Sequence, residues 1–262
     1  AAACETVPRG LVTGAGGFIG SHLVTSLKKK GYWVRGADIK APEFSPSDAD
    51  EFQLLDLRRR DNCLRATAGV DEVYALAADM GGMGFISAHH AQILYNNSLI
   101  NLHTLDTARE NGVTRYLYTS SACIYPEHLQ EDAKVTPLKE ADAYPAYPQD
   151  AYGWEKLISE RLCGHYRDDY GIETRTVRFH NIFGGLGTWD GGREKVPAAL
   201  CRKVAVAKLT GASEIEIWGD GEQTRSFCFI DDTVVGIYKL MRSDFHDPLN
   251  LGQDRMVTIN QL

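Results

Sequence analysis

The chain is 262 residues long, 44% hydrophobic and 24% charged, with a formal net charge of −7. That length suits one large α/β domain, or one domain carrying a smaller lobe, and the composition suits a packed core. The acidic balance argues against nucleic acid or an anionic membrane surface as partner, so a bound phosphate must meet local positive charge or backbone N–H groups.

The hydrophobic pattern predicts a strand over residues 10–13, then a helix over 18–30 that stops at Gly31. Strands follow at 33–38 and 72–77, separated by a polar loop at 42–50. A long helix over 91–110 ends at Asn111-Gly112, a natural C-terminal stop. A strand at 115–119, a helix at 150–170 and a strand at 174–179 complete the rhythm. Strands alternating with helices in this way predict an α/β fold with a doubly wound parallel sheet of the Rossmann kind. After Asn181 the pattern changes to a glycine-rich stretch, a basic helix over 194–208, a short strand over 214–218 and a helix over 231–241. Residues 8–180 are therefore read as a dinucleotide-binding domain and 181–262 as a smaller C-terminal substrate lobe.

The six cysteines, at 4, 63, 123, 163, 201 and 228, include no CxxC pair, and His89-His90 lacks metal spacing. Reduced thiols and no metal site are expected. Residues 1–9 are too short and polar for a signal peptide, and no apolar run approaches the ~20 residues of a membrane span. A soluble cytoplasmic protein is expected.

Thr13-Gly-Ala-Gly-Gly-Phe-Ile-Gly20 joins the first strand to the first helix. In that context Gly14, Gly17 and Gly20 let the backbone approach a pyrophosphate, with Phe18 and Ile19 opening the helix whose free N–H groups and dipole stabilise it. A tight glycine turn with no ligand is the competing reading. Asp38 ends the second strand, where a carboxylate accepts hydrogen bonds from ribose hydroxyls and repels a 2′-phosphate. NAD is favoured over NADP, against the alternative of a capping aspartate. Asp56 and Leu57, past the next apolar run, are placed to contact the adenine.

One Tyr-x-x-x-Lys pair occurs, Tyr152 and Lys156, on one face of the predicted helix. There the ammonium can lower the phenol's pKa from about 10 and make Tyr152 a proton acceptor. Ser121, after the fourth strand, can donate to a substrate oxygen or simply cap its own turn. Cys123 lies two residues on; most single cysteines are small buried hydrophobes, but a thiol near cations can serve as an acid or base. Lys195, read alone, is a solvated charge, although the glycine-rich approach from Thr188 to Arg193 gives it the mobility of a ligand-closing loop.

These segments resemble the extended short-chain dehydrogenases/reductases and, within them, the GDP-mannose 3,5-epimerase family. The selective marks are Ala77-Ala-Asp-Met-Gly-Gly-Met-Gly-Phe-Ile86, Ser120-Ser-Ala-Cys-Ile-Tyr-Pro126, Pro148-Gln-Asp-Ala-Tyr152 and Arg178-Phe-His-Asn181. Gly187-Thr-Trp-Asp-Gly-Gly-Arg-Glu-Lys195 and Trp218-Gly-Asp-Gly-Glu-Gln-Thr-Arg-Ser-Phe227 belong with them. The resemblance implies that Tyr152, Lys156, Ser121 and NAD oxidise C4 of the hexose. It makes Cys123 and Lys195 the acid/base pair that inverts C5 and C3, giving GDP-L-galactose with GDP-L-gulose as a second product. It also implies that Gly81, Asn181 and Glu194 face the sugar or first phosphate, that Lys203, Gln223 and Arg225 face the diphosphate and nucleotide, and that the protein is a homodimer. The family continues for about another hundred residues, so the substrate lobe is expected to be incomplete at Leu262.

Three rivals remain. A GDP-fucose-synthase-like epimerase-reductase consumes NADPH, which Asp38 disfavours. A 4-epimerase, dehydratase or decarboxylase shares the glycine and Tyr-Lys motifs, but a dehydratase wants a carboxylate where Cys123 stands. A non-catalytic NAD-binding regulator would have lost Tyr152 or Lys156.

Overall fold

The computed structural model describes residues 7–130 and 137–262 of the chain. Cys4 and most of the 1–9 segment lie outside the described residues.

Chain order runs β1 (Arg9–Thr13), α1 (Phe18–Lys29), β2 (Trp33–Asp38), β3 (Glu51–Leu54), α2 (Arg60–Thr67), β4 (Glu72–Ala75), α3 (Met83–Ala88), α4 (His90–Glu110) and β5 (Arg115–Ser121). It continues with α5 (Ala151–Tyr170), β6 (Glu173–Phe179), β7 (Asn181–Phe183), α6 (Val196–Thr210), β8 (Thr224–Phe229), α7 (Ile230–Arg242), β9 (Leu249–Leu251) and β10 (Met256–Thr258). Seven strands pair in the order β3-β2-β1-β4-β5-β6-β9, and every pairing is parallel. This is the doubly wound sheet expected. Its strand order reverses between β1 and β4, which opens a crevice at their carboxyl ends.

Successive side chains of a strand point to opposite faces, and β1 uses both. Val12 joins Leu23, Val24, Leu27, Val34, Leu117, Val177, Ile237 and Leu240 in the core on the α1 and α7 side. Leu11 joins Val73, Leu105, Ala108, Tyr116 and Tyr118 on the side of α2, α4 and α5. Burial on both faces explains why the central strands read as continuous apolar runs.

A second, three-stranded sheet has the order β10-β8-β7. The chain beyond residue 181 also returns to the main sheet, where β9 pairs with β6 and α7 packs against α1. The sheet thus draws on both sides of the 180/181 division read from the sequence.

The strand expected over 214–218 does not form. Alternating Glu and Ile supply propensity only, whereas a strand needs a ladder; the Glu216 carbonyl accepts the Lys203 Nζ at 2.6 Å instead. No helix among the described residues is long and apolar enough to cross a membrane.

One buried ion pair ties the layers around the carboxyl edge. The Arg178 guanidinium donates Nε and Nη2 to the two Glu160 oxygens at 2.9 and 2.8 Å, and Nη1 to Tyr125 Oη and the Glu140 carbonyl. Tyr125 Oη in turn donates to Asn250 Oδ1 beside β9 at 2.7 Å. Both charged side chains are 2% exposed. Arg178→Met therefore leaves Glu160 buried without a partner and costs about 3–5 kcal/mol in urea unfolding. Arg178→Met/Glu160→Met recovers most of that loss, because no unpaired charge remains.

Candidate active site

β1 ends at Thr13 and the chain turns sharply through glycine before α1 begins. Thr13 Oγ1 accepts the backbone N–H groups of Leu76 and Ala77, joining the ends of β1 and β4 across the switch point. A Cβ on Gly20 would stand 2.1 Å from the Gly14 carbonyl oxygen, so only glycine lets α1 start this close to the turn. Gly17 is the N-cap of α1, no side chain caps it, and the first turn holds no acid. Those free N–H groups and the positive end of the helix dipole fit a pyrophosphate. Phe18 borders a crevice with Gly16, Gly17, Lys40 and Thr188, while Ile19 packs on the core.

Asp38 closes this cradle. Its Oδ2 accepts Gly16 N–H at 2.9 Å and its Oδ1 accepts Lys40 N–H at 3.1 Å, and burial pushes its carboxyl above the ordinary range. A carboxylate fixed at the glycine turn fits ribose hydroxyls. Asp56 is committed differently, gripped by the Arg58 guanidinium at 2.9 and 2.7 Å, whose hydrogen bonds hold its carboxyl low. The Leu57 side chain lies in the core beneath α2 and is 4% exposed, so its side chain does not line the crevice. An apolar residue just past a strand is equally a core residue, and here the core claims it.

The chemistry-bearing groups gather where β5 meets α5. Asp150 caps α5 by accepting Gly153 N–H at 2.8 Å, and the helix presents Tyr152 and Lys156 on its inner face. A Cβ on Gly153 would stand 2.2 Å from the Cys123 carbonyl oxygen, so the helix presses directly on the turn after β5. Ser121 Oγ accepts Cys123 N–H at 3.2 Å and thus caps that turn, while also lying near enough to the Tyr152 phenol to ease its ionisation. The capping reading of Ser121 is thus met, and its hydroxyl also faces the phenol. Tyr152 packs with Ile86, Ile93, Met80, Phe85 and Cys123.

Burial sets the protonation states. Tyr152 is 5% exposed, and burial, reinforced by the Cys123 and Glu155 charges, pushes its phenol well above the usual value. The lowering expected from Lys156 does not prevail in the protein alone. Lys156 is itself buried, donates Nζ to the Thr119 carbonyl at 3.0 Å, and is shifted down by desolvation, which weakens the charge it offers. Burial likewise pushes the Cys123 thiol up, opposed by Ser121, Lys195 and Lys156. Lys195 keeps contact with solvent, yet desolvation by the protein around its ammonium pulls it below the ordinary lysine range, opposed by Cys123. Cys123 and Lys195 each feel the other's charge, which opposes the effect of desolvation on both.

The residues expected to grip substrate are more scattered. Gly81 is buried under Phe85 and Arg193, so a Cβ there would meet Phe85 at 2.9 Å. Asn181 Nδ2 donates to the Ser226 carbonyl, and Glu194 accepts Gly192 N–H and the Arg202 guanidinium. Gln223 and Arg225 are exposed and hydrogen-bond to nearby carbonyls, at Trp218 and Thr224. Lys203 is engaged in the same way, donating to the Glu216 carbonyl at 2.6 Å. Sequence reasoning missed Gly153, whose only signal was its place inside the Tyr-Lys spacing. It also missed Asp79, which is held by Gln92, Asn96 and Asn97.

A family model described as the NAD dependent epimerase/dehydratase family matches residues 10–252. The chain is 55% identical over 253 residues to GDP-mannose 3,5-epimerase 1 of Oryza sativa subsp. japonica and 54% identical to GDP-mannose 3,5-epimerase of Arabidopsis thaliana. Each match covers 96% of this chain, which spans 66% of the length of those relatives. Among solved structures, a UDP-glucose 4-epimerase with UDP-glucose from Thermotoga maritima superposes with a TM-score of 0.81 at 26% identity, covering 97% of this chain and 79% of that one.

The seating of α5 is testable. Gly153→Ala forces a methyl into the Cys123 carbonyl and should destabilise the fold by about 1–3 kcal/mol in thermal melting. Gly164→Ala, on the same helix with open space around it, should instead be neutral or stabilising by up to about 1 kcal/mol.

Proposed function

We propose that this chain, which belongs to the NAD dependent epimerase/dehydratase family, binds NAD and epimerises GDP-mannose at C3 and C5 through a 4-keto sugar, giving GDP-L-galactose and GDP-L-gulose. The observation that carries this reading is that the Cys123 thiol packs against Tyr152 while the Lys195 ammonium lies within electrostatic reach of that thiol. A redox pair alone would serve any member of the family; a second acid/base pair in the same site suits inversion at carbon. The 55% identity to a GDP-mannose 3,5-epimerase supports the choice of substrate.

In this reading residues 8–180 hold the cofactor and 181–262 the nucleotide sugar. Gly14, Gly17, Gly20 and the α1 N-terminus take the pyrophosphate and Asp38 the adenosine ribose. When bound there, NAD would supply a reversible hydride acceptor for the sugar C4. Tyr152 takes the C4 hydroxyl proton while Ser121 donates to the C4 oxygen, and the nearby Lys156 ammonium offsets the charge left on the phenol. The resulting 4-ketone acidifies the hydrogens on C5 and C3. Cys123 and Lys195 then remove a proton on one face and return one on the other.

A cytoplasmic homodimer completes the proposal. Exposed apolar residues on α4 and α5, Tyr95, Leu102, Trp154 and Ile158, supply a surface for a second copy.

Two outcomes check this reading. In heavy water, Cys123→Ala should still oxidise C4 but lose deuterium uptake at C5 and C3 by about 10²–10⁴-fold, whereas Tyr152→Phe should lose both steps. Uptake at the wild-type rate in Cys123→Ala, read by mass spectrometry, would remove the thiol from the mechanism. Titration of the cofactor should show NAD bound far more tightly than NADP, with Asp38→Asn narrowing the gap; equal affinities in the unmutated protein would contradict the role given to Asp38.

A further inference from the structure

Lys195 does not reach the site from a rigid element. It is the N-cap of α6 and follows a segment in which Leu186, Gly191 and Gly192 adopt positive φ. A backbone of that kind has many alternatives, so something must set where its end lies. Arg202 of α6 binds the Trp189 carbonyl and Glu194 within the segment, and a further contact two residues before Lys195 ties it to the 79–85 stretch. Arg193 Nη1 lies 3.4 Å from Asp79 Oδ1 and donates to the Met80 carbonyl at 3.1 Å, while its guanidinium stacks 3.9 Å from the Phe85 ring centroid. The fit is close on both sides, since a Cβ on Gly81 would meet the Arg193 stem at 3.2 Å and one on Gly82 the Glu194 carbonyl at 3.0 Å.

The receiving side is rigid. Asp79 N–H donates to Asn97 Oδ1 at 2.6 Å, Asn97 Nδ2 returns to the Asp79 carbonyl, and Gln92 and Asn96 each donate to Oδ2 at 2.9 Å. Burial alone would push this carboxyl up, but those amides and the Arg193 charge hold it below its ordinary value, so it is anionic at neutral pH. The donors all come from α4. Met80 and Phe85, the other two contacts of Arg193, pack against Tyr152 in the apolar wall that also touches Cys123.

We propose that Asp79 and Arg193 are positioning residues, a catch that holds the 184–195 segment against α4 and sets Lys195 opposite Cys123. The Arg193 side chain is 49% exposed, so the catch can release to admit a ligand and re-form over it. The consequence for catalysis rests on the epimerase reading above; the consequence for the loop does not.

The test uses the full chain and the variants Arg193→Ala, Arg193→Lys and Asp79→Asn. Hydrogen–deuterium exchange of the peptide spanning 184–195 should quicken severalfold in Arg193→Ala and Asp79→Asn, leave β5 and α5 unchanged, and return toward wild type in Arg193→Lys. With GDP-mannose in heavy water, deuterium uptake at C5 and C3 should fall by about ten- to a hundredfold while C4 oxidation stays within about twofold, the scale set by displacing a reacting group by an ångström. Unchanged loop exchange in both Arg193→Ala and Asp79→Asn would overturn the catch, as would an equal fall in oxidation and deuterium uptake. If the unmutated protein takes no deuterium into GDP-mannose, the epimerase reading fails, and loop exchange alone still decides the catch.

Discussion

The close seat of α5 on the turn that follows β5 is the constraint on which the other features of the site depend. With no side chain at Gly153, the first turn of the helix rests on the Cys123 carbonyl, and Asp150 fixes the helix start by capping it. From that seat Tyr152 faces Cys123 and Met80, and Lys156 reaches the Thr119 carbonyl inside the sheet edge. A side chain at 153 would lift the helix and separate the phenol from the serine and thiol together. The parallel sheet supplies the rest of the geometry, because all its carboxyl ends share one edge and the strand order reverses between β1 and β4.

That seat has an electrostatic cost. Placing a phenol, an ammonium and a thiol out of water moves each toward its neutral form, so the Tyr152 and Cys123 protons are held more tightly and the Lys156 proton less so. Buried carboxylates lie close by: Glu155 accepts from the Tyr118 hydroxyl and Ser159, and Glu160 is paired by Arg178. Glu155 and Glu160 favour the charged form of Lys156 and so limit the effect of burial. Low dielectric around these groups makes each fixed donor and charge more effective than it would be in water.

Features encoded in a few adjacent residues were legible from sequence. The strand–glycine–helix unit at 9–29 and the helix Ala151–Tyr170, capped by Asp150 and stopped at Gly171, carry their own start and stop chemistry, and the helix His90–Glu110 carries its stop at Asn111-Gly112. What escaped notice depends on partners distant in sequence. β7, β9 and β10 are three residues each, too short for a periodic signal, and exist because β8 and β6 offer them ladders. The alternating 214–218 run had the signal without the partner. Within the candidate site, Tyr152, Lys156, Ser121 and Cys123 stood out in the sequence because they sit in two short motifs, and the fold brings them to one edge of the sheet. Asp79 and Arg193 did not stand out, since nothing local says that residues 114 positions apart will meet. The Leu57 side chain lies in the core for a related reason: burial against α2 is decided by packing, and its neighbourhood in sequence does not show which way the side chain will face.

The central claim is that one site removes a hydride from a sugar carbon, inverts its neighbours and restores the hydride to the carbon it left. Turnover of GDP-mannose carrying deuterium at C4 tests this most directly, with the product position of the label read by NMR. The account predicts that the label remains at C4 in the epimer while C3 and C5 take hydrogen from solvent, with no reduced cofactor accumulating. Product that has lost the C4 label, or that forms only as reduced cofactor accumulates, would contradict it.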